Sequence, residues 1–259
     1  MNKEMMMAKA NEVVKALEND GYKAETAVIN KNGVEKIGIT VGNGSIRPTV
    51  YPNFEQDVVD IVEMIKKVNA ESTPDAFKGI VDNIEDYEKI KETIIPYLSS
   101  GTIPDAVTRK YLDLNVYYRI TGKDYSILIK ENLFNRWGIS EEELFAQAKE
   151  NVKDGFNIRN IQDIIPIPLS DIFMKVITRE SQLYGASVLL FPEVFKKIEN
   201  GKPFIILPSS IHEVIVINEG EDNMGLANMI QEINRTQLAP EDILSDHPYY
   251  YDGKEIKEA

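Results

Sequence analysis

The chain has no cysteine among its 259 residues, which excludes disulfides, thiolate metal sites and cysteine nucleophiles. Histidine is nearly as scarce. His212 and His247 are the only two, and they form no H-x-x-x-H or comparable ligand spacing. No apolar run approaches the roughly 20 residues of a membrane span. The opening "MNKEMMMAKANEVV" lacks the uninterrupted apolar stretch of a signal peptide, so a cytoplasmic location is expected. Neither G-x-x-x-x-G-K-[ST] nor G-x-G-x-x-G occurs. The run "VGNGS" at 41–45 follows one β run and precedes another, and reads as a turn. No cofactor is expected.

Basic residues are in deficit, 29 Lys and Arg against 42 Asp and Glu, for a net charge of −13. From His212 to Ala259 there are eleven Asp and Glu against three Lys and Arg, a local balance of −8. Phosphate binding needs clustered Lys and Arg, so nucleic acid is disfavoured as a partner. The same field keeps the chain soluble and attracts basic partners.

What is present is the composition of an ordinary globular protein, 43% apolar and 27% charged. The length allows one large domain or two smaller ones. Met1 to Asn19 carries Val13, Val14 and Leu17 on one side of a helix. The runs 24–29 and 34–41 are β-like, and Asn32-Gly33 between them is a hairpin signal. A third strand over 46–51 and a helix from Phe54 to Val68 complete an α-β-β-β-α unit over 1–70. Residues 71–110 read as a connecting segment, with a helix from Tyr87 that Pro96 limits. A C-terminal α+β region then covers 111–259. Leu112 to Ile120 has the period of two of a half-buried strand, and Ser126–Lys130 can pair with it. Ser140 and Glu143 form a capping-box pattern. Trp137 is expected in the core. The segment 157–171, with Pro166 and Pro168, reads as extended or irregular, and 172–178 is compatible with helix or strand.

The clearest patterning lies between Leu183 and Arg235. Ala186 to Phe191 (ASVLLF) reads as a strand buried on both faces, followed by a helix that opens at Pro192 and stops at Asn200-Gly201. Phe204–Leu207 and Val214–Ile217 read as the arms of a hairpin, with Ser209 and Ser210 in its turn. Asp222 or Asn223 caps a last helix, where Leu226, Met229, Ile230 and Ile233 recur at helical spacing. The fold class is therefore α+β: mainly antiparallel sheets with helices packed on one face.

The run "FIILPSSIHEV", with "GASVLLFPEV" before it and "LSDHPYYYD" after it, resembles a family of uncharacterised bacterial proteins, domain of unknown function 5688. The resemblance extends over most of the chain, through "YEKIKETIIPYL", "LDLNVYYRI" and "NLFNRWGISEEELFAQAKEN". The C-terminal half is similar, more faintly, to domain of unknown function 1444. Neither resemblance brings an activity, so no functional residue is carried over. The first implies a bacterial protein, often carried on mobile elements, with an accessory or defence role.

Two sets of residues are candidates for function. Ser209, Ser210, His212 and Glu213 sit together at the hairpin turn, and Asp246-His247 precedes the tyrosines Tyr249, Tyr250 and Tyr251. No nucleophile elbow accompanies the serines, and Ser is a common turn former. Two histidines and two carboxylates, if they converge, make a small hydrolase or a metal-assisted enzyme. Three successive tyrosines on an edge strand expose at least one ring, and exposed aromatics are enriched at binding hot spots. The expected function is thus non-enzymatic binding of another protein, with no catalytic or metal residue assigned.

Overall fold

A computed structural model describes residues 1–42, 47, 49–71, 79–80, 82–122, 125–164, 173–198, 202–218 and 223–259. The chain divides into two compact units, Met1–Lys89 and Ile90–Ala259. The fold is α+β, and every strand pairing in its three sheets is antiparallel among the described residues. The irregular run through Pro166 and Pro168, the stop at Asn200-Gly201, the cap at Asp222 and the turn at Asn43 fall outside the described residues.

The first unit has the α-β-β-β-α order. Helix α1 (Lys3–Asn19) is capped by the Asn2 side chain, which accepts the Met5 N–H, and it buries Ala10, Val13 and Leu17. Strands β1 (Ala24–Lys31) and β2 (Val34–Val41) pair without a bulge from Ala24↔Val41 to Lys31↔Val34. Asn32 and Gly33, at φ 53° and 87°, supply the left-handed pair that a two-residue turn requires. The short β3 (Thr49–Val50) joins β2. Helix α2 spans Val58–Glu71, four residues later than the periodicity suggests, because Asn53 closes a turn by accepting the N–H groups of Glu55 and Gln56. The helices cover one face of the sheet around Ile37, Ile39, Val41, Ile61 and Ile65.

A short helix α3 (Tyr87–Ile90) spans the boundary between the units, and the chain then runs on as β4 (Ile94–Ser99) rather than as the longer helix that the sequence suggests. Pro96 sits inside β4, and the register explains how. Its partner Tyr118 turns its carbonyl the other way, to the Ile129 N–H. The missing proline donor therefore faces the outer edge, the place where a strand tolerates proline. On the same edge the Asn151 amide donates to the Ile94 carbonyl at 2.8 Å. Strands β5 (Thr108–Tyr111), β6 (Leu114–Thr121) and β7 (Ser126–Leu128) complete this sheet, β5 and β7 sharing the far side of β6. Strand β6 is buried on both faces rather than half-buried, since Asn115 and Tyr117 are enclosed along with Val116 and Tyr118. Its residues Leu112 and Asp113 belong to the preceding turn, with Leu112 at φ 53°.

Helix α4 (Glu131–Trp137) ends at Gly138 in the left-handed conformation. Trp137 is half-buried against Phe134 rather than in the core. Helix α5 (Glu141–Glu150) starts with the reciprocal capping box: Glu143 N–H donates to Ser140 Oγ and Ser140 N–H to Glu143 Oε2. The Ser140 N–H and hydroxyl, both donating to Oε2, lower the Glu143 carboxyl from its usual value.

The six-stranded sheet runs β13-β12-β10-β11-β9-β8, with β8 Phe156–Asn160, β9 Met174–Arg179, β10 Phe204–Ser210, β11 Glu213–Asn218, β12 Tyr249–Tyr251 and β13 Ile256–Glu258. Helix α6 (Pro192–Lys196) opens at its proline, and α7 (Asn223–Gln237) lies over β10. Gly185–Leu190 corrects the ASVLLF expectation. It is fully buried, as read, but coils as a 3-10 helix packed on β4, β9 and β11. An apolar run enclosed on all sides has no polar face from which its period can be read.

Candidate functional site

The β10–β11 hairpin closes through Ile211 and His212, not through the two serines. Ser209 and Ser210 end β10, where the register shifts between Pro208 and Ser210. Their hydroxyls serve the corner. Ser209 Oγ donates to Glu213 Oε1 at 2.9 Å, and Ser210 Oγ accepts the His212 N–H at 3.0 Å.

Three other segments clamp this corner. The His212 carbonyl accepts from Gly185 N–H at 3.0 Å and Thr178 Oγ1 at 2.9 Å, while Ile211 N–H donates to the Asp242 carbonyl at 2.9 Å. Gly185 is obligatory here, since a Cβ on it would lie 2.3 Å from the His212 carbonyl oxygen. The preceding Tyr184 is left-handed at φ 58°, a costly conformation for an aromatic residue. In that conformation its N–H donates to His212 Nδ1 at 3.1 Å. Nδ1 of the neutral ring is therefore the bare nitrogen, and Nε2 carries the proton 3.6 Å from Asp242 Oδ1.

Aromatic rings extend the site into the other sheet. Tyr184 lies 5.6 Å from the His212 ring and 4.9 Å from Tyr97, and the Arg119 guanidinium sits 5.5 Å from both Tyr97 and Tyr184. Arg119 is held by Ser126, through Nε to Oγ at 2.5 Å and Nη2 to the carbonyl at 3.2 Å. Burial pushes the Tyr97 phenol up, with Arg119 acting in the opposite sense. Tyr97, Arg119, Tyr184 and Asp242 escape sequence reasoning, because 145 positions separate the first from the last and no spacing rule links them. Chemically, the corner offers a half-exposed imidazole with an acceptor on one side and tilted aromatic rings on the other.

The second histidine stands with a different aspartate. Tyr249 OH donates to Asp113 Oδ1 at 2.8 Å, and burial raises that phenol well above its ordinary range. His247 Nδ1 lies 3.0 Å from Asp246 Oδ1 and 3.2 Å from Ser245 Oγ. Its Nε2 is buried and makes no hydrogen bond, because Asp113 Oδ2 is 3.8 Å away, close enough to feel the charge but too far to bond. The tyrosines correct the exposed-edge expectation, since β12 lies between β10 and β13. Tyr249 and Tyr251 are fully buried, Tyr251 against Phe204 and Phe195. Only Tyr250 is half-exposed, packed near Ile205, Leu207 and Ile230.

Of the four residues in the enzymatic alternative, only Asp246 and His247 pair with each other. His212 turns to Tyr184 and Asp242, and Glu213 to Ser209. Among the described residues no group of three or more Asp, Glu or His side chains is placed to hold a metal ion. No described helix is long and apolar enough to cross a membrane. No curated protein and no solved structure significantly matches the chain. The model of a family of unknown function, DUF5688, matches residues 3–253, and the chain belongs to that family.

Proposed function

We propose that the protein is a cytoplasmic, non-enzymatic binding module whose partner is another protein. The observation that carries this reading is the outer face of α7. The helix turns Leu226 and Ile230 inward onto Ile205, Leu207, Ile215 and Ile217. Met229 and Ile233, one turn apart on the same helix, stay 41% exposed. Asn234 donates to the Ser245 carbonyl and Gln231 to that of Asp246, so the helix is moored beside a loop that presents the Asp246 carboxylate. An apolar pair beside the exposed Asp246 carboxylate, within the most acidic fifth of the chain, fits a basic amphipathic segment of a partner. This surface replaces the buried tyrosines as the binding face. The family resemblance supports an accessory or defence role for it.

The test is a native pull-down from bacterial lysate with the wild type and the Met229→Ser/Ile233→Ser variant. The expected result is a specific partner that the variant loses and that added salt weakens. Capture that both proteins share equally, or none by either, overturns the reading.

A further inference from the structure

We propose that the cleft between α5 and the start of α6 binds a small monocarboxylate with an apolar body, held by Lys149. The cleft has a volume of about 380 Å³, within the roughly 300–1,000 Å³ of small-molecule sites. Phe145, Lys149 and Lys153 line it at intervals of four, as one stripe of α5 and the turn after it. Phe191, just before α6, and Glu193 in its first turn face the same space. Both sides are firmly seated. Leu144 and Ala148 anchor α5 in the core, and Asn151 after it donates to the Lys91 and Ile94 carbonyls. Phe191 is itself buried, 5.1 Å from the Phe156 ring.

The charges select the ligand. Lys149 Nζ sits 4.8 Å from the centre of the Phe191 ring and 5.5 Å from that of Phe145. Ring faces hold a cation in place but do not neutralise it. The neighbouring cations have anions. Arg109, 4.2 Å from the centre of the Phe145 ring, reaches Glu141 at 3.4 Å, and Lys153 pairs with Glu150. Lys149 has none: among the described residues its ammonium makes no ion pair and no hydrogen bond. It is half-buried, so it gives up water without gaining an anion in return. A carboxylate in the cleft supplies that anion through a charge-assisted bond, while the apolar remainder packs on Phe145 and Ala146. The lining also limits how much charge the ligand carries. Glu150 and Glu193 border the same space, so a phosphate monoester meets more repulsion there than a monocarboxylate does. This site uses no residue of the α7 face and does not depend on that reading.

The test is calorimetric titration of phenylacetate into the full chain, for the wild type, Lys149→Met and Ala146→Trp. Methionine keeps the length of the side chain and removes its charge, Ala146 is exposed, and thermal melts check that both variants fold. The wild type is expected to bind phenylacetate saturably. Lys149→Met weakens binding roughly tenfold or more, as the loss of a bond to a charged group does. Ala146→Trp blocks it by filling the cleft. Phenylacetamide, of the same shape without the charge, does not bind, and phenyl phosphate binds more weakly than phenylacetate. No saturable binding to the wild type, binding that either variant leaves unchanged, or a preference for the amide or the phosphate overturns the inference.

Discussion

Among the described residues of the first unit the buried side chains are almost all aliphatic, with Phe54 the one aromatic: Ala10, Val13, Leu17, Ile39, Ile61 and Ile65 are typical. In the second unit the largest enclosed side chains are Tyr97, Tyr117, Tyr118, Tyr249 and Tyr251, with buried Asn115, Ser187, Ser210 and Glu241 among them. The contrast follows from layering. A three-stranded sheet with helices on one face needs only apolar volume beneath them. Sheets whose strands are buried on both faces, with irregular segments passing between them, must also satisfy backbone groups that no ladder reaches. Phenols do this in the second unit. Tyr117 OH accepts the Ile103 N–H and donates to the Gly101 carbonyl, and Tyr111 OH donates to that of Leu189.

Alkali gives the widest separation between the two. Burial raises the phenols of Tyr97, Tyr118 and Tyr249 in the folded state, so their contribution to stability is complete below the ordinary tyrosine pKa near 10. It is lost as pH rises above that value, because the unfolded chain releases protons the folded one retains. Each phenol then costs up to about 1.4 kcal/mol per pH unit, so several kcal/mol accumulate by about pH 11. Thermal melts from neutral pH upward, followed by the near-ultraviolet tyrosine signal, are expected to show this fall. A flat profile would break the contrast.

Volume should matter most in the first unit. Ile39→Ala, at a site with no solvent exposure, is expected to cost about 3 kcal/mol. Urea titration and loss of amide protection over β1 and β2 check it. A single oxygen should matter in the second unit. Tyr117→Phe keeps the ring but strands the Ile103 N–H, at an expected cost of about 2 kcal/mol. A neutral outcome in urea titration would mean that the phenol only fills space.

The same contrast decides how much of the molecule is legible from sequence. In the first unit Asn32-Gly33 dictates its turn, and the β-like runs on either side of it form β1 and β2. Ser140 with Glu143 is equally plain, since capping is a matter of four neighbouring residues. Enclosure defeats the method elsewhere. The ASVLLF run has the right burial and the wrong conformation, and Tyr249 to Tyr251 are read as an outer strand because β13 beyond them is only three residues long. The candidate corner is half legible. Ser209 to Glu213 are adjacent in sequence and stay together, whereas Tyr97, Arg119, Tyr184 and Asp242 join them only through packing of two sheets.

Pro96 and Asn151 bear on how the protein behaves in a crowded solution. All of β4 is buried, and a foreign strand that reaches it when its cover of α5 and the 185–190 coil opens meets a residue with no hydrogen to give and, two positions earlier, a carbonyl already occupied. Pairing fails at first contact. The chain can therefore carry a stretch as sticky as Ile94-Ile95-Pro96-Tyr97-Leu98 without that stretch seeding fibrils.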